Sequence, residues 1–276
     1  MKTAVYTICK NEINRLNRWL EYGKLHDYMV VLDTGSTDGT WEALQAASRI
    51  YPNLIIEQKT FTPWKFNVAR NYNLEMIPQD VEWCLSPDLD EFFSINVRKE
   101  IEKTVLRHPN VTNIATTRLD IYSEEVFVGE RFDKDGKNIG IVPTNKIHRR
   151  HTHTWKQPIY EHLFHKDGLE YEVEITNDKI FLIHDQETDK PRSTLYPKMM
   201  REQYEIDPTD SWTSWYLLKE YYREKDMPNF IKVALDFIKY HHTKCDKYNE
   251  VRSELINIAE YAEIPDNIRT LIRNTI

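Results

Sequence analysis

Within the stretch SPDLDEFF, residues 86–93, Asp88, Asp90 and Glu91 fall in four consecutive positions, after the apolar run EWCL and before two phenylalanines. In an extended segment Asp88 and Asp90 face one way and Glu91 the other. Two carboxylates converging at a strand end repel each other unless a cation or a shared proton intervenes. A divalent metal resolves that repulsion, and hard oxygen ligands suit Mg2+ or Mn2+, which keep positions open for water and phosphate oxygens. A second reading fits the same residues: DLDE caps a following helix, because acids favour helix N-termini.

Other candidates carry paired readings too. In DTGSTDGT, residues 33–40, Gly35 and Gly39 supply the positive φ of a tight turn, and Asp38 is placed to cap a helix. Arg70 on an amphipathic helix is either a solvated charge or a ligand contact, and His184, after the apolar IFLI, is either a hydrogen-bonded histidine or a metal ligand. DKDGK, residues 133–137, has the start of a calcium loop, but the twelfth position is Thr144 and no bidentate Glu is there, so it reads as a hairpin turn. KIHRRHTHTWK, residues 146–156, is the most basic segment, and alternation puts Arg149, His151 and His153 on one strand face. That face would meet an acidic acceptor, the diphosphate of a donor, or only solvent.

The elements that must position these groups follow from periodicity. AVYTIC reads as a buried strand, and NEINRLNRWLEYG as a helix with Ile13, Leu16 and Leu20 on one stripe, Asn11 as N-cap and Gly23 just past its end. YMVVL, LIIEQ and VEWCLS read as further strands, alternating with the helices TWEALQAASRI and FNVARNYNLEMI. This order predicts a mainly parallel sheet covered by helices on both faces, with ligands gathering at the carboxyl ends of the strands. DTGSTDGT and PDLDE should then share one edge, and Pro87 should end its strand. From about 110 to 185 the segments are short and β-like, including VFVGERF and YEVEI. Beyond that come five helical segments with spacing close to tetratricopeptide repeats, and their aromatic stripe of Trp212, Trp215, Tyr216 and Tyr221 reads as interhelical packing. The expected division is 1–186 for a catalytic domain and 187–276 for a helical one.

Composition narrows the partners. The 276 residues, 40% hydrophobic, are enough for a full core, and 37 basic against 44 acidic side chains leave a net charge of -7, which repels nucleic acid and anionic membrane. Cys9, Cys84 and Cys245 are odd in number and form no CxxC, which suits reduced thiols in the cytoplasm. The opening apolar run AVYTIC is too short for a signal peptide, and no stretch approaches the roughly 20 apolar residues of a membrane span.

TICKNE, VVLDTGSTDGT, NVARN and SPDLDEFF occur in that order, and together they resemble the nucleotide-sugar-binding half of a family 2 glycosyltransferase with the GT-A fold. WKQPIYEHL, with KIHRR before it, is similar to the acceptor-side segment that in this family usually reads Trp, then Pro or Gly, then a hydrophobic residue, His and Glu. IHDQETDKPRSTLYPKM and DPTDSWTSWYLLKEYY resemble the His-containing strand end and trailing helices of one bacterial and phage branch. The resemblance implies an α/β, Rossmann-like sandwich followed by a small all-α region. It places Asp33 at the base of a nucleoside diphosphate sugar of the UDP class, Asp88 at its ribose or on the metal, and Arg70 near the base or diphosphate. Thr7 and Glu12, within TICKNE, join the donor site. Asp90 holds the metal, Mn2+ or Mg2+, and His184 matches the late histidine that completes its ligands. Glu161 aligns with the carboxylate that deprotonates the acceptor, although Tyr160 stands where relatives often carry His.

The chemistry agrees with these residue types. Breaking the bond between sugar and diphosphate leaves negative charge that a metal neutralises as a Lewis acid, while a general base activates the nucleophile on the opposite face. The expected activity is a metal-dependent, inverting sugar transfer to a hydroxymethylated DNA base, a peptide or a glycan. Two other classes stay open: a non-catalytic helical-repeat interaction module on a degenerate transferase fold, and a metal-dependent phosphoesterase, whose two-metal site would gather more acids and histidines.

Overall fold

The computed structural model describes residues 1–93, 97–122, 138–167, 179–185, 194–241, 247–261 and 264–275. VFVGERF, YEVEI, DKDGK and Cys245 lie outside them. The chain forms two compact units, Met1–Lys190 and Pro191–Ile276.

In the first unit, strands β1 (Thr3–Cys9), β2 (Tyr28–Asp33), β3 (Leu54–Gln58) and β4 (Trp83–Leu85) alternate with helices α1 (Ile13–Gly23), α2 (Thr40–Ser48) and α3 (Phe66–Met76). After β4 come β5 (Glu91–Phe93), α4 (Val97–Arg107), β6 (Asn113–Tyr122), β7 (Asn138–Arg149), β8 (His153–Lys156), β9 (His162–His165) and β10 (Phe181–Asp185). Neither β5 nor α4 stands out in the sequence: β5 is three residues long, and α4 carries charge over most of its surface. The main sheet runs β3-β2-β1-β4-β7-β6-β10-β5, with β8 and β9 as a separate pair. β1, β2, β3 and β4 are mutually parallel. Because β7 is antiparallel to both β4 and β6, and β10 is parallel to β6, the carboxyl ends of β6 and β10 point the same way as those of β1 to β4.

This strand order forces the sheet to curl. From the end of β4 to the start of β5 is six residue steps in sequence, with five residues between, but four strand spacings in the sheet, about 19 Å at about 4.8 Å each. Six extended residues reach only about 20 Å, and this connection is not extended, since the Glu91 N–H donates to the Asp88 carbonyl at 2.9 Å. The far edge must therefore bend back toward β4, which brings β10 over the acidic loop.

Two apolar layers hold the sheet, and strand alternation assigns residues to each. Val5, Met29, Val31 and Leu85 face a layer with Leu16, Trp19, Leu20 and Leu44 from α1 and α2. Ala4, Tyr6, Val30 and Cys84 face another with Leu74 of α3, Trp155 and Leu163. Burial on both faces is why these strands read as continuous apolar runs. Each such Leu or Met side chain stabilises the fold by about 1.5–3 kcal/mol.

The turns differ from expectation in instructive ways. Asn11 is not the N-cap of α1; it sits in the left-handed region at φ 58 and its Oδ1 accepts from Thr37 N–H at 2.8 Å. Gly39, at φ 95, takes the N-cap position of α2 that Asp38 was expected to fill. The Asp38 carboxylate instead serves both helices, accepting from Thr40 N–H at 3.0 Å and from Ile13 N–H at 3.2 Å. Gly23 is the last residue of α1 rather than a cap beyond it, and a Cβ there would meet Met29 Sδ at 2.6 Å, so its smallness lets α1 close onto β2.

The second unit is all-α: α5 (Leu195–Ile206), α6 (Ser211–Glu224), α7 (Met227–His241), α8 (Lys247–Tyr261) and α9 (Asp266–Thr275). Asp210 caps α6, its side chain accepting from Trp212 N–H at 3.1 Å, and Lys225 ends it in the left-handed conformation at φ 56. Leu217, Phe230, Ala234, Phe237 and Leu255 form its buried interior. Trp212 and Tyr216 pack edge-to-face with centroids 5.1 Å apart.

Candidate functional site

Asp33 ends β2 and is fully buried. Its Oδ1 accepts from the N–H groups of Gly35 and Ser36 and from Gln58 Nε2, each at 2.9 Å, and its Oδ2 faces the Cys9 thiol at 3.7 Å. Burial works to raise this carboxyl, but the hydrogen bonds from Ser36, Gln58 and Gly35 outweigh it and hold the group below its ordinary value. The turn depends on Gly35, whose φ is 102 and where a Cβ would meet Thr60 Cγ2 at 2.9 Å. Asp33 thus shapes the loop that follows its strand. Thr7, expected at the donor, is buried and its hydroxyl donates to the Ile8 carbonyl at 3.2 Å. Glu12 pairs with Arg15 at 2.7 Å.

The cluster around Arg70 is assembled by α3. Asn71 grips the backbone of Trp155 from both sides, its Oδ1 accepting from the N–H at 2.8 Å and its Nδ2 donating to the carbonyl at 2.9 Å. Phe66 N–H donates to the Pro158 carbonyl at 2.9 Å. These bonds bring the segment before Glu161 against α3, and two residues in that segment, Gln157 at φ 69 and Tyr160 at φ 51, hold the left-handed conformation that L side chains rarely adopt. Next to Asn71 in sequence, Arg70 is 6% exposed and is no solvated surface charge. Its Nε donates to Glu161 and its Nη2 to Asp88 Oδ1 at 2.8 Å, while the guanidinium lies over the Trp155 ring. Burial alone would lower the Arg70 pKa; Asp88 and Glu161 raise it well above the ordinary value.

The acidic loop is held from its other side by Lys146 of β7. Nζ donates to Asp88 Oδ2 at 2.9 Å and to Glu91 Oε2. Burial works to raise the Asp88 carboxyl, but Arg70 and Lys146 hold it well below the carboxylate range. Asp88 thus places one carboxylate oxygen on each cation. Glu91 faces inward rather than out: it is 3% exposed, and its Oε2 also accepts the Asp88 N–H at 2.9 Å. Asp90 pairs instead with His184 of β10, Nε2 to Oδ2 at 3.5 Å. The register explains the meeting, because His184 lies opposite Glu91 in the β10–β5 ladder. Burial opposes ionisation of Asp90, yet the His184 hydrogen bond holds its carboxyl below the ordinary value.

A carboxylate and an imidazole this close fit a divalent cation that completes its coordination with water and phosphate oxygens. Among the described residues no group of three or more His, Cys, Asp and Glu side chains gathers as a closed metal cage. Lys146 and Arg118, whose Nη1 lies 3.8 Å from Glu91 Oε1, are the site residues that sequence reasoning missed. Each sits within a strand between one polar and one apolar residue, a pattern that signals an inward charge only once its acidic partner is known.

The run after Lys146 corrects the idea of a basic strand face. β7 ends at Arg149, a turn intervenes, and β8 starts at His153, so Arg149, His151 and His153 share no face. His148, Arg150 and His153 are buried. Arg149 donates to the Val111 and Pro109 carbonyls, and Arg150 to that of Ile77.

No protein-family model matches the chain, and no curated protein sequence matches it. Solved structures do. Residues 1–349 of S. aureus TarS superpose with a TM-score of 0.51 and 15% identity, covering 99% of this chain and 91% of that one. A longer S. aureus TarS structure gives the same score and identity, and the chain covers 55% of its length. A weaker likeness, TM-score 0.47 at 14% identity over 99% of this chain and 79% of the other, is to the mannosyltransferase PcManGT from Pyrobaculum calidifontis in complex with GDP-Man and Mn2+. At such identity the TarS likeness establishes the fold, a GT-A-like α/β architecture with C-terminal helices. No helix among the described residues is long and apolar enough to cross a membrane.

Proposed function

We propose that the chain catalyses metal-dependent, inverting transfer of a sugar from a nucleoside diphosphate sugar, of the UDP class, to an acceptor hydroxyl. The observation that supports this best is the convergence of Arg70, Asp88, Asp90, Lys146, Glu161 and His184, from five separate segments, in one network beside the end of β4. Asp90 and His184 would hold Mn2+ or Mg2+, which when bound would neutralise charge on the departing diphosphate. Arg70 and Lys146 bring two fixed positive charges to the same place, and a buried charge acts more strongly there than in water. Glu161, with 11% of its side chain exposed, would take the acceptor proton, and its bond to Arg70 Nε orients the carboxylate toward that task. With His148, Arg150 and His153 buried, the basic run favours a glycan or peptide hydroxyl over an acidic acceptor.

Incubation with Mn2+ and a panel of nucleotide sugars tests the reading. Slow hydrolysis of one UDP-sugar without acceptor is expected. Asp90→Ala should lower that rate roughly a thousandfold, matching the several kcal/mol that metal stabilisation supplies, with the circular dichroism spectrum unchanged. Hydrolysis at the wild-type rate in this variant would remove the metal assignment, and cleavage of simple phosphoesters would point to an esterase.

A further inference from the structure

Lys146 does more than balance charge. Its side chain is 13% exposed and joins Asp88 to Glu91, the carboxylates on either side of Asp90. Glu91 is closed in by the Asp88 N–H and faces Arg118. Asp88 has one oxygen on Lys146 and the other on Arg70. The carboxylates on either side of Asp90 are therefore drawn toward cations, and Asp90 pairs with His184.

Resting on the function proposed above, we propose that Lys146 is a positioning residue that reserves the divalent cation for Asp90 and His184 and makes its binding depend on the nucleoside diphosphate. By holding Asp88 Oδ2, it keeps a second aspartate from joining the ligands. By placing a positive charge beside them, it keeps affinity for the ion alone low. A site with one carboxylate and one imidazole then needs phosphate oxygens to bind the ion firmly, whereas a site with two aspartates would not. Occupancy of the metal site is thereby coupled to the presence of donor or product.

Mn2+ titrations followed by electron paramagnetic resonance, with the ion alone and with UDP or GDP, test this on the full chain. Wild type should bind Mn2+ weakly and on the order of tenfold more tightly with the nucleotide. Lys146→Met should bind Mn2+ alone on the order of tenfold more tightly than wild type, the effect of removing one nearby charge from a partly buried site, and the enhancement by nucleotide should shrink. Lys146→Arg should restore wild-type values. Because Lys146→Met leaves Glu91 buried without its lysine, the double variant K146M/E91Q guards against misfolding and should show the same gain. Equal or weaker Mn2+ binding in the folded single or double variant overturns the role of Lys146 while leaving the metal site standing. Wild type that binds Mn2+ neither alone nor with nucleotide overturns the metal site, and this inference with it.

Discussion

SPDLDEFF and KIHRRHTHTWK look alike as sequence, since each crowds charge between apolar neighbours. Folded, they behave in opposite ways. The acidic stretch keeps its charges: Asp88, Asp90 and Glu91 are met by Arg70, His184 and Lys146. The basic run, Lys146 apart, is absorbed into the fold. Burial, helped by the neighbouring His153, pushes His148 down to about 3, and burial followed by His165 pushes His153 down to about 4. Arg149 and Arg150 donate to backbone carbonyls, and Arg150 also faces Glu75 at 3.7 Å. The reason is where the backbone lies. PDLD lies between β4 and β5, outside any strand, so Asp88 and Asp90 are free of the sheet's alternation, while Leu89 packs into the core and Glu91 opens β5. The basic run makes up the end of β7, a turn and β8, with Trp155 in a core layer. Charge density marks a site where the chain leaves its sheet and marks buried structure where it does not.

The largest test of that contrast removes the cation at the centre of the acidic network. Arg70→Met leaves Glu161 without its ion pair and Asp88 with only Lys146. Breaking a buried pair from one side costs about 3 kcal/mol or more, so urea unfolding should show a loss of that size. A loss under about 1 kcal/mol would mean that the acidic charges are held by solvent, and the contrast would collapse.

A smaller effect separates the two stretches by pH. The folded-state pKa values of His148 and His153 lie below the ordinary histidine value of about 6.5. The unfolded chain therefore takes up protons first as pH falls. The stability that comes from keeping these rings neutral is full above about pH 6.5 and is lost as pH falls toward 4. His26, pushed down to about 4 by burial and then by Arg98, adds to the same window. The lowered carboxyls of Asp33, Asp88 and Asp90 contribute stability that is full above their unfolded values near 3.9 and is lost only below that. Unfolding free energies from urea titrations should thus decline between pH 7 and pH 5, by about 2 kcal/mol in total or more. His153→Gln should flatten part of that slope, and a level profile would show the basic run to be solvated.

Sequence reading reached the parallel half of the sheet because strands buried on both faces announce themselves: LIIEQ is β3 residue for residue. It reached the grouping of Asp33 and Asp88 on one edge for the same reason. It could not see that Asp88 bridges two cations, because that is decided by Lys146 on β7, 58 residues along, and by the curl that carries β5 and β10 back over β4. Nor could alternation survive the turn between β7 and β8, where one extended strand was assumed. Glu161 was placed by family resemblance alone. What brings it to Arg70 is the grip of Asn71 on Trp155 and two left-handed residues, a tertiary arrangement with no periodic signal.

The smallest expected effect lies at the part of the basic run that does reach solvent. His151 is exposed in the turn after β7, with Nε2 3.2 Å from the Gln79 carbonyl, and Lys156 is exposed at the end of β8 with Nζ 5.0 Å from the Phe164 ring centroid. Neither touches Arg70, Asp88 or Glu161 in a hydrogen bond, so the double variant His151→Ala, Lys156→Ala should change stability by no more than about 0.5 kcal/mol and leave donor hydrolysis as it was. Transfer to a neutral glycan should also be unchanged. If transfer to any acceptor fell severalfold while hydrolysis held, the exposed remnant of the run would be an acceptor contact, and the division between a charged rim and an absorbed basic run would have to move two residues outward.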